Sequence, residues 1–265
     1  MQFNTTMVLI NNRDEYYSRS TQNATLNFKS DRKSVYGIDL AGAVRGTWLG
    51  ISAIDETIKI GNLANVTGEE NQGKLGRGPI VTNFIESDDT IELYNKNLLE
   101  KAHDFSSFNF LSVEITSDSI KSSYLSNIPK AYHILPLGYT GIGNSPLVKP
   151  FVKVVAGSDI FKNVVDNHKD SKKEDFIKAL MDILKCDRKY FPDEELISRR
   201  KETAEPFSSI HVVVPSVGYG TRTRTVILVD NNDNIDYIEE TMKTEDPNGE
   251  WETTQITFSG MTTRL

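Results

Sequence analysis

Residues 7–19 read MVLINNRDEYYSR, four apolar side chains followed at once by a polar and charged run. The unbroken apolar run 7–10 has the length of a buried β-strand rather than of a helix. The asparagine pair that follows favours a turn, because asparagine tolerates the backbone conformations that end strands. The stretch therefore predicts a buried first strand, with Arg13 and Asp14 in the turn that follows it.

Outward from this stretch, strand signals occupy both ends of the chain and helix signals lie between them. Period-two alternation and β-branched runs predict strands, while apolar residues spaced three and four apart predict helices. The predicted strands are 47–53, 58–60, 108–115, 122–125, 132–135, 209–215, 224–230, 235–241 and 251–258. The predicted helices start at Gly78-Pro79, start after a capping region at 87–89, and cover 151–167 and 173–184.

This order of elements predicts the α+β class, because strands and helices do not alternate as they do in a parallel α/β fold. Residues 138–146 form a glycine-rich loop, and 185–206 are charged and irregular, which is typical of a mobile surface loop. The sequence contains no repeat and no clear linker, so we expect one domain over residues 1–265.

Composition excludes several classes of function. The chain carries 30 basic and 37 acidic residues, a net charge of −7, so it lacks the basic surface expected of a nucleic-acid-binding protein. No stretch approaches the roughly 20 apolar residues that span a bilayer, and the start of the chain lacks a secretory signal. A single cysteine, Cys186, fits a reducing compartment. We therefore expect a cytoplasmic protein.

Six short motifs carry a resemblance to a known family. Together they cover about residues 7–258, in the family's order: Asn12-Arg13-Asp14-Glu15, Gly46-Thr47-Trp48-Leu49-Gly50-Ile51, Gly76-Arg77-Gly78, Gly141-Ile142-Gly143-Asn144-Ser145, Gly220-Thr221-Arg222-Thr223 and Trp251-Glu252-Thr253. On these motifs the chain is identified as a member of the NRDE family, also called the transport and Golgi organization protein 2 family.

The resemblance implies a fold similar to that of the N-terminal nucleophile hydrolases, a four-layer αββα sandwich of two antiparallel sheets. In those enzymes the side chain of the first residue attacks an amide and its own amino group is the base. By the resemblance, Arg13 and Asp14 would hold that residue, Asn144 would contact the oxyanion, and Arg222 or Arg224 would lie nearby. Together with Asn12 these residues would line one cleft.

The start of the chain departs from the family pattern. Family members usually begin Met-Cys, whereas this sequence begins Met1-Gln2, and the cysteine nucleophile has no counterpart. Neither methionine nor glutamine offers the thiol or hydroxyl that such catalysis needs. The sequence therefore favours a non-catalytic protein in this form.

The candidate residues also have plain structural interpretations. Arg13 and Asp14 could form an ion pair that fixes a turn, and the glycines before Asn144 could serve a tight turn with positive φ. Arg222 and Arg224 alternate along a strand, so they face one side, either in solvent or against a ligand carboxylate.

Function follows only from the resemblance, which implies a haem-trafficking factor that mobilises haem from mitochondria or storage compartments, with a possible mitochondrial location. The cargo would be haem or another small acidic or lipid-like ligand. The alternative is an amide or thioester hydrolase or acyltransferase linked to lipid or acyl-coenzyme A metabolism. The haem ligand stays open, because no two of the four histidines have metal-ligand spacing: His103, His133, His168 and His211.

Overall fold

The computed structural model describes residues 5–41, 44–69, 73–168 and 171–260. The chain divides into two compact units. Unit 1 comprises residues 1–19, 139–141 and 151–259, and unit 2 comprises residues 20–138, 142–150 and 260–265. The single domain over 1–265 stays a prediction.

Unit 1 is built on an antiparallel sheet in which the order β1-β10-β11-β12 is extended by a short β9 paired to the start of β10. Its strands are β1 (Thr5–Tyr16), β9 (Val213–Val214), β10 (Tyr219–Asp230), β11 (Asn234–Met242) and β12 (Trp251–Ser259). The first and tenth strands pair along most of their length, with a register shift between Arg13 and Asp14. Such a bulge turns neighbouring side chains away from strict alternation.

Three helices accompany this sheet: α3 (Val152–Asn167), α4 (Lys173–Leu184) and α5 (Glu194–Arg200). Helix α4 places its apolar side chains, Phe176 and Leu180 among them, against Val226 and Leu228 of β10. This burial is the hydrophobic core of unit 1, since each such side chain contributes roughly 1.5–3 kcal/mol when removed from water.

Unit 2 contains a seven-stranded antiparallel sheet whose strands lie in sequence order. They are β2 (Thr21–Lys29), β3 (Arg32–Asp39), β4 (Leu49–Ile54), β5 (Thr57–Asn65), β6 (Phe108–Thr116), β7 (Ile120–Asn127) and β8 (Lys130–Leu135). Helices α1 (Pro79–Glu86) and α2 (Ile91–Lys101) pack on it around Phe84 and Phe110. A Cβ on Gly46 would overlap the Gly78 backbone, which explains a glycine in each of these two motifs.

Several local predictions need correction. The first strand does not end at the asparagine pair but continues to Tyr16, so Arg13 and Asp14 are strand residues paired with β10 rather than turn residues. Cross-strand pairing outweighs the turn preference of asparagine here. The predicted strand 209–215 is reduced to β9, and α2 is capped by the Thr90 hydroxyl rather than by the residues at 87–89.

The segment 185–206 is not an irregular loop throughout, because it contains α5. Asp193 caps that helix by accepting from the Leu196 amide, acidic residues occupy its first turn and arginines its last. These are standard helix-end signals. The side chains of Asp193 and Leu196 are buried, which ties the segment to unit 1.

The two antiparallel sheets and their helices confirm the α+β class. The four-layer stacking and the likeness to N-terminal nucleophile hydrolases stay predictions. Among the described residues, none of the helices is both long and apolar enough to cross a membrane.

Candidate functional site

The predicted site residues of β1 are held by specific contacts within unit 1. Asn12 donates from Nδ2 to the Leu184 carbonyl at the end of α4 (2.9 Å) and to the Ile210 carbonyl (3.0 Å). The carbonyls at a helix end have no intrahelical partners, so this amide satisfies one of them. Asn12 therefore acts as a clamp between β1, α4 and the segment before β9.

Asp14 lies beside the bulge and has one anchored oxygen. Its Oδ1 accepts from the Thr221 hydroxyl at 2.7 Å, and the same hydroxyl oxygen accepts from the Val212 amide at 2.9 Å. Burial raises the pKa of Asp14, although the positive charges of Lys153, Arg200 and Arg13 oppose that shift. Three cations therefore act on a single buried carboxylate.

Lys153 stands at the start of α3, where its Nζ donates to the Ser209 carbonyl at 3.0 Å. Burial lowers the pKa of its ammonium, while the Asp14 carboxylate opposes that shift. The preceding residue, Val152, donates its amide to Asp193 Oδ2 at 2.7 Å. Asp193 also caps α5, so one carboxylate joins the starts of α3 and α5.

Arg222 and Arg224 are both buried in β10, which excludes the first of the two interpretations, a face in solvent. Arg222 donates from its guanidinium to the Arg19 carbonyl. Arg224 forms an ion pair with Glu240 Oε2 (2.7 Å) and stacks over the Trp251 ring at 3.6 Å. Burial lowers the pKa of Arg224, and Glu240 opposes that shift.

A patch around Trp251 brings together residue types that bind metals and cofactors. The His211 ring lies 6.2 Å from the Trp251 ring, centre to centre, and its backbone amide donates to the Cys186 carbonyl at 2.8 Å. Burial and the nearby Arg224 charge lower the pKa of His211 to about 4, so its imidazole is neutral at physiological pH. The patch is defined by Cys186, Tyr190, His211, Arg224 and Trp251.

The two ring nitrogens of His211 differ in burial, although neither has a hydrogen-bond partner among the described residues. Nδ1 is buried and has no hydrogen-bond partner among the described residues, and Nε2 makes none with them either. Tyr190 is adjacent to Cys186, since burial and then the Cys186 side chain raise the pKa of the Tyr190 hydroxyl. Cys186 and Tyr190 both retain part of their surface in solvent.

Asn144 belongs to unit 2 and has structural contacts there. Its Nδ2 donates to the Asn65 carbonyl (2.9 Å), and its own carbonyl accepts from the Thr67 amide (2.8 Å). The positive φ of this loop falls on Gly138, whereas a Cβ on Gly141 would overlap the Ser158 side chain of α3. The positive φ expected of the glycines before Asn144 is therefore wrong, and at Gly141 the reason for glycine is lack of space.

The structure thus brings Asn12, Asp14 and the two arginines into one unit, with different partners for each. Convergence of Asn12, Arg13, Asp14, Asn144, Arg222 and Arg224 on one cleft stays a prediction, and Met1-Gln2 lie outside the described residues. In the part of the chain that is described, no three His, Cys, Asp or Glu side chains are grouped to hold a metal ion.

Sequence reasoning missed Lys153, Arg200 and Tyr190, and it did not place Cys186 at a site. None belongs to a motif, and their neighbours in space come from distant parts of the chain. The only usable signal was the helix-end pattern of 193–200, which would have fixed the position of Arg200 at the last residue of a helix.

Comparison with known proteins gives a consistent match. The family model described as Transport and Golgi organisation 2 matches residues 2–244. The chain is 38% identical to Transport and Golgi organization protein 2 of Drosophila melanogaster, over 94% of this chain and 91% of the fly protein. It is 30% identical to the homologues of Mus musculus and Homo sapiens, each over 96% of this chain and 92% of the relative. The chain therefore belongs to the Transport and Golgi organisation 2 family.

Proposed function

We propose that this protein is a haem carrier, which binds haem reversibly and mobilises it from mitochondria or storage compartments without changing it chemically. The single observation that carries the proposal is the neutral His211 imidazole, whose Nε2 makes no hydrogen bond within the described residues. A neutral imidazole nitrogen is a common axial ligand of haem iron.

The surroundings of His211 suit a flat, acidic cofactor. Trp251 is partly exposed beside the histidine, and the Arg224 guanidinium lies over its ring. A porphyrin face would pack on apolar and aromatic surface, while its propionates would pair with guanidinium groups. Arg224 already has Glu240 as partner, but Lys185 also contacts Glu240 (2.9 Å) and can neutralise it when the propionate arrives.

The same geometry supports weak binding, as a carrier requires. Histidines that ligate metals tightly nearly always donate their other ring N–H to a neighbouring acceptor, which fixes the ring. Nδ1 of His211 has no such acceptor among the described residues. We therefore expect a haem complex that dissociates readily, with Tyr190 and Cys186 as the other candidate ligands beside it.

The experiment is a haem titration of the purified protein, followed by the Soret band. The wild type should saturate with micromolar or weaker affinity, and His211→Ala should shift the band and weaken binding roughly tenfold or more. His103→Ala is the matched control, because His103 is an exposed histidine whose side chain lies beside Asp104. Arg224→Met should weaken haem binding without moving the band. Equal spectra and affinities for wild type and His211→Ala would rule out this site.

The cellular location belongs to the same proposal. A carrier that mobilises haem would act in the cytoplasm and at the mitochondrial surface, and the name of its relatives links them to transport and Golgi organization. Cell fractionation of a tagged full-length chain tests the location. Recovery in the secreted fraction alone would contradict it.

The alternative function is an amide or thioester hydrolase or acyltransferase, and Asp14 is the observation in its favour. One oxygen is anchored by Thr221, and the other has no hydrogen-bond partner among the described residues. Turnover of acyl thioesters or N-acyl amino acids by the purified chain, abolished by Asp14→Asn, would favour this alternative over the carrier.

A further inference from the structure

Arg200, one of the three cations that act on Asp14, is the last residue of α5. Its guanidinium carbon lies 3.5 Å from the centre of the Phe207 ring. Among the described residues it has neither a hydrogen bond from the guanidinium nor an ion pair. Its neighbour Arg199 contrasts with it, because Arg199 Nε pairs with Glu195 at 2.6 Å. A guanidinium has five N–H donors in a rigid plane, so Arg200 presents an unused set of donors.

The backbone holds Arg200 in place on both sides. Asp193, buried, caps the start of α5 and also binds the Val152 amide, which fixes the helix that ends at Arg200. The next residue, Lys201, has φ 52° and ψ −131°, a conformation that side chains other than glycine rarely adopt. Such a residue costs on the order of 1–3 kcal/mol, and strained positions cluster at functional sites.

Arg200 is one of three positively charged side chains that act on the Asp14 carboxylate. The cations that act on Asp14 are Lys153, Arg200 and Arg13, and Lys189 adds a further positive charge near Lys153. The Asp14 carboxylate is the acidic group that acts on Arg200, and it is shared with Lys153. The Asp193 carboxylate is occupied as a double helix cap. The Arg200 guanidinium can therefore accept a further anionic partner.

Aromatic contacts link Arg200 through Phe207 and Tyr219 to Tyr16, which is the one of these four residues that lines a cleft. The Phe207 ring contacts the Tyr219 ring at 5.5 Å, and the Tyr219 ring contacts the Tyr16 ring at 5.3 Å. Tyr16, Tyr17, Pro215, Val217 and Pro247 line a cleft of about 240 Å³ in unit 1. This is smaller than the roughly 300–1,000 Å³ of pockets for drug-sized ligands, so it fits a single ring.

We propose that Arg200 and the rings of Phe207, Tyr219 and Tyr16 form a binding site for a small aromatic anion, a phosphate monoester or a carboxylate on one ring. The anionic group accepts from the Arg200 guanidinium, which can offer two parallel N–H donors to it. The ring packs against the tyrosines. Glu245 also lines the cleft and repels the anion from that end, so the ligand has one orientation.

A purely structural role for Arg200 explains less. Any flat or long apolar side chain could stack on Phe207 in place of Arg200. Stacking alone also does not require the strained backbone of Lys201. The site is also independent of haem, because it contains none of the side chains proposed to contact the cofactor. Its ligand is recognised by charge and ring contact rather than by a metal ion.

The test is calorimetric titration of the full chain with phenyl phosphate and with benzoate. Inorganic phosphate and phenol are the partial probes, the first lacking the ring and the second the charge. Wild type should bind at least one of the two aromatic anions at least tenfold more tightly than either partial probe. Arg200→Met should weaken that binding roughly tenfold or more, because it retains contact with Phe207 but removes the charge-assisted hydrogen bonds.

Arg188→Met is the matched control, since Arg188 also lies over a ring, that of Tyr190, at 5.4 Å. It should leave the affinity unchanged. Arg200→Lys, which retains charge without the fork, should show intermediate affinity, and circular dichroism checks that each variant is folded. His211→Ala should bind the probes as wild type does, whatever its haem affinity. Absence of binding, or equal affinity in Arg200→Met, would overturn the site. Equal affinity for phosphate and phenyl phosphate would overturn the aromatic part of the proposal.

Discussion

Among the described residues, more buried polar atoms lack a hydrogen-bond partner in unit 1 than in unit 2, where Asn95 Oδ1 is such an atom. In unit 2, Asn109 is fully buried, donates from Nδ2 to the Gly143 and Ser145 carbonyls, and accepts at Oδ1 from the Tyr124 hydroxyl. Lys59, buried as well, donates to the carbonyls of Ser87 and Asp89. In unit 1, buried side-chain atoms along β1 and β10 and at His211 have no hydrogen-bond partner among the described residues: Asn11 Oδ1, Asn12 Oδ1, His211 Nδ1, Thr223 Oγ1 and Arg224 Nε.

Unit 2 therefore resembles a rigid scaffold, and unit 1 is where we propose the ligand sites. Buried polar groups that are fully paired rigidify a core, whereas unsatisfied ones cost stability and need another explanation. Unit 1 combines them with Arg200, a strained residue and a cleft. This is why both proposals concern unit 1, and why variants in the two units should behave differently.

The largest effect should come from the scaffold. Asn109→Ala should lower the free energy of unfolding by about 3 kcal/mol, because it removes two donated bonds and one accepted bond from fully buried partners. Urea denaturation measures the loss, and Asn27→Ala on the exposed face of β2 is the control. A loss below about 1 kcal/mol would mean that the unit 2 network is no better satisfied than that of unit 1.

A smaller and asymmetric effect is expected at the ion pair of unit 1. Glu240→Ala should destabilise by about 2 kcal/mol, because it leaves the buried Arg224 charge without its carboxylate. Arg224→Met should cost about 1 kcal/mol, because Lys185 still neutralises Glu240 and methionine retains contact with Trp251. Thermal and urea unfolding of both variants measure the difference. The reverse order would show that Arg224 contributes mainly through stacking.

The smallest effect is a pH dependence at His211. Its pKa is about 4 in the folded protein against 6.5 as the ordinary value. The unfolded chain therefore binds more protons in that window, so the contribution of His211 is present above pH 6.5 and is lost as the pH falls towards 4. Allowing for solvent screening of a partly exposed ring, we expect about 1 kcal/mol.

The measurement compares unfolding free energies at pH 7 and pH 4.5 for wild type and His211→Gln. The variant should lose about 1 kcal/mol less than wild type over this range. His103→Gln, at an exposed site, serves as the control. Identical pH profiles for wild type and His211→Gln would show that the imidazole is well solvated. His211 would then no longer support the contrast between the two units.

Much of the fold followed from local patterns in the sequence. The strands predicted at 108–115, 122–125 and 132–135 match β6, β7 and β8 to within two residues at each end, and the helices predicted at 151–167 and 173–184 match α3 and α4 to within one residue. These elements are long and their apolar residues recur at one period, so local preference and tertiary packing agree. The family motifs gave Asn12, Arg13, Asp14, Asn144, Arg222 and Arg224 as candidates, and the comparisons confirmed the family.

No strand was predicted for β2 or β3, and two other misses lie where local preference and tertiary contact disagree. Asn11 and Asn12 favour a turn, yet their strand continues, because pairing with β10 satisfies the backbone and the Asn12 amide reaches the end of α4. Two arginines in alternation suggest a solvated face, yet Glu240 and Trp251 bury one of them.

The sequence by itself therefore determined the class of fold, most element positions and the family, because periodicity and short motifs are local properties. Only the tertiary structure decided which charges are compensated. Arg199 and Arg200 are adjacent and alike in sequence, but one has a glutamate a helical turn away and the other faces a ring and a buried carboxylate. These contacts join residues that are distant in sequence, Val152 with Asp193 (41 positions) and Asp14 with Arg200 (186 positions), and no local pattern encodes their distance.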